Sequence, residues 1–265
     1  MDIFSKESMN GKHILITGAT GGIGYETAKV LASMGASISL TGRNEIVLKE
    51  LKEELLSITQ SNKIFTQVAD LTNDSERTSL IESCQKQHGD IYGLVNSAAI
   101  SAGDVVEKLK KDDVINIMNI NFISTLMLTQ MVYKKMLKRR EGNIVNVSSL
   151  SGIRGSFANT PYAASKFALI GFTQSMALEA IKSNIRVNAV CPGYVDTKMG
   201  REGIKRKALL KGVPFEEYLK TIENSIPSGR ITKPKEVANT IAFLLTEAST
   251  NIVGESLKIS GGSVL

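Results

Sequence analysis

The most constraining feature of this chain is a junction near its start. A run of aliphatic and β-branched residues, His13-Ile14-Leu15-Ile16-Thr17, passes directly into Gly18-Ala19-Thr20-Gly21-Gly22-Ile23-Gly24 and then into an amphipathic pattern. A strand that turns on glycines into a helix opens a βαβ unit, and the new helix N-terminus aims free backbone N–H groups at any nearby anion. The alternation continues: strands are expected at His13–Thr17, Ala36–Thr41, Lys63–Ala69, Ile91–Asn96, Asn143–Ser149 and Ile185–Cys191. Helices are expected between them, over about 22–34, 44–59, 74–88, 112–139 and 160–182, with Gly35 placed as a C-terminal helix glycine. Such an order predicts an α/β fold, a doubly wound parallel sheet with right-handed crossovers.

After Pro192-Gly193 the alternation pauses. Residues over about 196–226 are polar and basic with little strand character, and read as a substrate lid before a final helix at about 234–247 and a strand at about 256–260. No repeat, low-complexity tract or linker divides residues 1–265, so one domain is expected.

Charge and cysteine usage narrow the function classes. A net charge of +6 and a pI near 9.2 favour anionic partners, but 5% aromatic residues and no Trp supply little for base stacking, so nucleic acid is not expected. No apolar run approaches the ~18 residues that span a bilayer and no secretion signal opens the chain, so no membrane partner and a cytoplasmic location are expected. The two cysteines, Cys84 and Cys191, have no neighbours at metal-ligand spacing, and no metal is expected.

The glycine turn lets backbone approach a pyrophosphate closely. At the end of the second strand, where an acidic residue would take the ribose hydroxyls of NAD, the chain has Thr41-Gly42-Arg43-Asn44. Arg43 can pair instead with a 2′-phosphate, which favours NADP over NAD. On local grounds Asp70 is a cap or loop carboxylate. Tyr162 and Lys166 stand at i and i+4 of a helix, on one face, where an ammonium lowers the pKa of a phenol. Ser149 ends a strand at the carboxyl edge of the sheet, placed to hydrogen-bond a substrate oxygen. A serine nucleophile is disfavoured, because no G-x-S-x-G elbow surrounds it and His13 and His88 are the only imidazoles.

Together, Thr17-Gly18-x-x-x-Gly22-x-Gly24, Asn121, Ser149, Tyr162-x-x-x-Lys166 and Pro192-Gly193 resemble the short-chain dehydrogenase/reductase family over about residues 11–262. The resemblance implies a Rossmann-type fold and a catalytic set in which Tyr162 is the acid in carbonyl reduction. Lys166 lowers its pKa and binds the nicotinamide ribose, Ser149 polarises the carbonyl, and Asn121 positions a relay water. It also implies that Gly18, Thr20, Gly21, Gly22, Ile23, Gly24, Arg43 and Asn44 hold the pyrophosphate and adenosine end. Asp70 and Leu71 would face the adenine, Asn96 and Ala98 the ribose, and Pro192, Gly193, Val195 and Thr197 the carboxamide.

The chain departs from the family at Asn96-Ser97-Ala98-Ala99 and at Ile259-Ser260-Gly261-Gly262, and Gly21 replaces a basic residue of some NADP-using relatives. Within the family, Pro192-Gly193-Tyr194-Val195-Asp196-Thr197 is most similar to 3-oxoacyl thioester reductases. The run Lys134-Lys135-x-x-Lys138-Arg139-Arg140 would suit an acidic acyl carrier protein, although cations at a helix C-terminus are favoured anyway. The resemblance further implies a homo-oligomer, a tetramer or dimer. The alternatives are a sugar, steroid or other secondary-alcohol dehydrogenase, and a non-catalytic nucleotide-binding relative.

Overall fold

The structure, a computed structural model, describes residues 3–265. Its sheet contains β1 (His13–Thr17), β2 (Ser37–Gly42), β3 (Ile64–Val68), β4 (Gly93–Asn96), β5 (Gly142–Val147), β6 (Ile185–Pro192) and β7 (Ser256–Ile259). All pairings are parallel, in the order β3-β2-β1-β4-β5-β6-β7. The chain winds outward from β1 to β3, then returns to lay β4 against the other side of β1. That reversal leaves a crevice beyond the carboxyl ends of β1 and β4, where open α/β sheets bind ligands.

The interior of β1 is an unbroken apolar run because both of its faces are covered, and β2, β5 and β6 add buried polar residues such as Ser39, Asn146 and Asn188 to their apolar ones. Successive side chains point to opposite faces, so Ile14, Ile16, Val95 and Val145 enter one core while Leu15, Leu94 and Ile144 enter the other. The first core is closed by α1 (Gly22–Ser33), α2 (Glu45–Leu56) and α9 (Pro234–Leu245). The second is closed by α3 (Asp74–His88), α5 (Ser124–Arg139) and α6 (Thr160–Ala180). Gly35 follows α1 with φ +89°, a conformation that costs an L side chain dearly.

Two expectations need correction. The single helix read over about 112–139 is α4 (Lys111–Met118) and α5 joined by a π turn, Asn119–Ile123. Apolar periodicity runs through the junction, so the extra residue per turn leaves no mark on the pattern. By length and composition this 29-residue stretch is apolar enough to cross a membrane, contrary to the sequence reading; it is folded on the sheet through Leu128, Val132 and Met136. The segment over 196–226 contains no strand, in keeping with its sequence, and forms a helical pair, α7 (Lys198–Lys211) and α8 (Phe215–Ser225), with a small core of Ile204, Ile222, Ile226 and Ile231.

Candidate active site

A cleft of about 810 Å³ opens at the carboxyl edge of the sheet, between the β1–α1 turn, the segment after β5, the start of α6, the segment after β6, and α7. The turn at its floor is close-packed. Gly18 has φ +64°, and a Cβ there would lie 2.6 Å from Ala98 N, so the backbones after β1 and β4 touch. Thr17 Oγ1 ties them further, accepting from Ser97 N (3.1 Å) and Ala98 N (3.3 Å).

Gly21 is the N-cap of α1, and neither a capping side chain nor an acidic residue occupies that first turn. The opening N–H groups of α1 are therefore left to a ligand, beside Thr20, Gly21, Gly22 and Ile23 on the cleft wall. Gly22 also meets the opposite wall: a Cβ there would fall 2.6 Å from Thr197 Cγ2. Thr197 is fixed because its hydroxyl caps α7, accepting from Gly200 N at 3.0 Å. An uncapped helix end with glycine clearance fits a dinucleotide pyrophosphate.

The chemical groups gather at the other end of the cleft. Ser149 lies just past β5, which stops at Val147, two residues short of the expected end. Its oxygen accepts from Ser151 N at 3.1 Å, and its hydroxyl hydrogen-bonds the Tyr162 phenol. Tyr162 and Lys166 follow one turn apart on α6 as expected. Lys166 is buried and donates from Nζ to Val147 O at 2.8 Å, 5.6 Å from the centre of the Tyr162 ring.

Their electrostatics differ from the sequence expectation. Burial pushes the Tyr162 phenol up, with only the Ser149 hydrogen bond acting to lower it. Lys166 itself is pushed down to about 8 by its burial. Desolvation disfavours the charged form of both groups, and the ammonium spends a hydrogen bond on a carbonyl rather than on the phenol oxygen.

Asn121 sits in the π turn, away from the cleft lining, and is buried. Its Oδ1 accepts from Ile100 N (2.8 Å), while Nδ2 donates to Ile100 O (3.0 Å) and Ser165 Oγ (3.1 Å). Ser165 Oγ in turn donates to Tyr162 O at 2.7 Å, so Asn121 ties the segment after β4 to the first turn of α6. Asn96 is likewise buried, donating to Thr129 Oγ1 and Asn146 Oδ1, and Asn146 Nδ2 donates to Thr173 Oγ1 on α6.

Pro192, Gly193, Val195 and Thr197 line the cleft together with Ser149, Tyr162 and Lys166. Arg43, Asn44, Asp70 and Leu71 lie outside that lining, beyond the ends of β2 and β3. Arg43 is exposed. Asp70 accepts from Thr72 N and Oγ1, which with the nearby Arg43 charge hold its carboxyl below the usual range. Asn44 caps α2 through Val47 N at 3.2 Å, and Leu71 belongs to the second core. Gly24 and Ala98 complete the turn's packing rather than the cleft wall. Sequence reasoning missed Ser97, Ser101, Arg154, Arg206 and Lys207 as lining residues. Arg206 and Lys207 carry a signal only once α7 is known to be a helix, because they then share a face with Glu202 and Gly203.

Comparison with known proteins places this geometry. The short chain dehydrogenase family profile matches residues 12–208. The 3-oxoacyl-[acyl-carrier-protein] reductase of Thermotoga maritima is 36% identical over 97% of this chain and 99% of its own. An acetoacetyl-CoA reductase of an Acinetobacter strain is 33% identical over 95% and 97%. Among solved structures, an actinorhodin polyketide ketoreductase with NADPH superposes with a TM-score of 0.92 at 31% identity, covering 95% of this chain and 97% of that one. An NAD+-bound xylitol dehydrogenase gives 0.91 at 29% identity, covering 97% and 100%. The chain belongs to the short-chain dehydrogenase/reductase family and is an oxidoreductase that binds a nicotinamide cofactor.

Proposed function

We propose that the protein reduces the ketone of a 3-oxoacyl thioester with NADPH. The observation that carries this reading is the convergence of Ser149, Tyr162 and Lys166 in one cleft beside an uncapped helix N-terminus. The substrate class is supported by the named relatives, the 3-oxoacyl-[acyl-carrier-protein] and acetoacetyl-CoA reductases.

When bound, the cofactor supplies a hydride to the carbonyl carbon. The chain's residues do the rest. Ser149 Oγ–H and Tyr162 Oη–H take the carbonyl oxygen, and the Tyr162 proton passes to that oxygen as negative charge develops on it, leaving an alcohol and a phenolate that regains a proton. Burial keeps the phenol protonated at neutral pH, the state an acid in reduction requires. Lys166 holds the ribose and stabilises the phenolate, and Asn121 positions a relay water and the first turn of α6. The turn from Gly18 through Gly24 cradles the pyrophosphate, and Arg43, aided by Asn44 Nδ2, takes the 2′-phosphate. Asp70 and Leu71 flank the adenine, Asn96 and Ala98 the ribose, and Pro192, Gly193, Val195 and Thr197 the carboxamide. The α7–α8 pair acts as the substrate lid.

A cytoplasmic setting is supported by two free buried thiols, Cys84 and Cys191. Assembly into a homo-oligomer is supported by the exposed Ile115, Ile123, Phe167 and Leu178 of α4 to α6. An acyl carrier protein as donor rests on the charge of the Lys134–Arg140 run. Within one chain that run stands at the opposite edge of the sheet, where Arg139 binds Asp90 and Ile91 O and Arg140 binds Lys182 O.

The test is oxidation of NADPH by acetoacetyl thioester, run beside NADH, Arg43→Ala and Tyr162→Phe. Tyr162→Phe is expected to lower kcat/KM by about 10²–10⁴ while cofactor still binds, the usual worth of a positioned acid. Arg43→Ala is expected to weaken NADPH and spare NADH. Cofactor binding without turnover of any 3-oxoacyl thioester refutes the substrate assignment and points to other ketones or alcohols.

A further inference from the structure

The cleft is unevenly charged. Besides Lys166 it is lined by Arg154, Lys198, Arg206 and Lys207, against one carboxylate among the described residues, that of Glu202. Lys198 follows Thr197, which touches Gly22, and so belongs with the pyrophosphate end. The other three stand on segments that bound the chemical end: Arg154 five residues after Ser149, Arg206 and Lys207 on the cleft-facing side of α7.

Apart from Arg43, which lies outside the cleft with no hydrogen bond or ion pair to a described residue, and Arg140, which donates to Lys182 O, the arginines elsewhere are engaged more fully than Arg154 and Arg206. Arg77, Arg139, Arg201 and Arg230 pair with carboxylates. Arg186 is buried on the carbonyls of Leu244, Thr246 and Ser249. The Arg154 side chain makes no hydrogen bond or ion pair with any described residue. Arg206 reaches only Ser101 O, at a long 3.3 Å. Lys207 is held in place, its Nζ donating to Tyr194 Oη at 3.0 Å.

Packing brings their supports together. Gly103 approaches so near the loop before α6 that a Cβ would lie 2.9 Å from Ala158 O, and Arg206 bridges α7 to Ser101 of the same β4 loop. Cations crowded in a cleft with low-dielectric walls repel one another and focus a positive potential there, which an incoming anion relieves. Guanidinium forks suit the planar oxygens of phosphate or carboxylate.

We propose that Arg154, Arg206 and Lys207 form a receiving site for an anionic group carried by the substrate at the end remote from its carbonyl. The inference rests on the reductase reading above and adds a substrate property to it: the compound is a ketone with a distal phosphate or carboxylate. A phosphorylated pantetheine arm and a long keto acid both offer that chemistry.

The experiment compares acetoacetyl-4′-phosphopantetheine, acetoacetyl-pantetheine and 3-oxooctadecanedioate, a dicarboxylate of similar reach, as substrates of the NADPH-loaded enzyme at low salt. The phosphorylated thioester is expected to show a KM about tenfold below its unphosphorylated twin, the scale of one or two charge-assisted hydrogen bonds. In Arg154→Ala/Arg206→Ala the ratio is expected to collapse towards one, and in Arg154→Lys/Arg206→Lys to survive in part. A lower KM for the dicarboxylate, lost in the same double alanine variant, keeps the site and assigns it to a carboxylate. Equal KM values for the two thioesters, with no dependence of the dicarboxylate on these arginines, overturn the proposal.

Calorimetric titration of the NADP+-loaded enzyme with 4′-phosphopantetheine and with pantetheine decides the matter without turnover. A preference for the phosphorylated form that the alanine variant loses upholds the anion site even where no thioester is reduced, in which case only the thioester reading fails. Equal binding overturns the site.

Discussion

Lys166 is 3% exposed, yet it carries an ionisable ammonium whose described acceptor is Val147 O at 2.8 Å. Its pKa falls from 10.5 to about 8 because burial disfavours the charged form. The unfolded chain therefore holds more protons than the native state between pH 8 and 10.5, and stability rises with pH in that window. Below pH 8 both states are protonated and the cost of the buried charge is fully present. Lys166→Met, which removes the charge, is expected to be closest to or above wild type in cofactor-free stability at pH 7 and to lose ground as pH approaches 10. Urea unfolding across that range measures it; a constant difference between the two proteins would show that Lys166 titrates normally. The i, i+4 spacing of Tyr162 and Lys166 was legible because helix geometry alone puts them on one face. The direction of the phenol's pKa was not, since burial and the ammonium's choice of Val147 O depend on atoms supplied by β5.

At the scale of elements, the strands were legible for a physical reason: parallel strands covered on both faces keep aliphatic and β-branched residues on each side, even where buried polar ones such as Ser39, Asn146 and Asn188 interrupt them. Errors fell where local pattern and hydrogen bonding part company. Nothing in Asn119-Ile120-Asn121-Phe122-Ile123 announces a π turn, because the apolar residues on either side keep helical spacing. The α7–α8 pair hides its helices behind a sparse core of four isoleucines in a charged stretch. The N-terminus of α1, in contrast, is written in the sequence, and it carries a prediction with two opposed signs. Gly21 has φ −93° and its Cβ position meets only Gly18 O at 3.4 Å, so a side chain fits. Gly21→Asp places a carboxylate at an uncapped helix end, where caps and dipole together contribute about 1 kcal/mol. The variant is expected to melt a few degrees higher without cofactor and to bind NADPH at least tenfold more weakly, because the carboxylate occupies the anion's place. Calorimetric melting and cofactor titration on one preparation test both signs, and a variant with unaltered cofactor affinity would place the pyrophosphate elsewhere.

Across the whole molecule, the carboxyl edge of the sheet carries the open cleft, while the amino edge carries a closed polar cluster that holds the layers together. His13, at the start of β1, is buried between Gly89 O (2.9 Å from Nδ1) and Ser39 Oγ (2.8 Å from Nε2). A carbonyl only accepts, so Nδ1 carries the proton and Nε2 accepts from the serine; the ring is neutral and ties β1 to β2 and to the end of α3. His88 stacks edge-on at 5.1 Å, and Arg139 is close enough to repel a second positive charge. Burial first, and these two neighbours after it, push His13 down to about 4, and burial also lowers His88. Because the native state binds fewer protons than the unfolded chain between pH 6.5 and 4, the stability this neutral ring provides is present above pH 6.5 and lost as pH falls through that window. The loss from His13 is on the order of 2–3 kcal/mol, a large share of a typical folding free energy. His13→Gln retains a donor and an acceptor but cannot titrate, so the urea midpoint of the variant is expected to fall less steeply than that of wild type from pH 7 to 4.5. Parallel slopes would move the acid sensitivity to His88 or the carboxylates. The cluster lies at the edge remote from Tyr162, so the variant also separates the pH dependence of folding from that of catalysis.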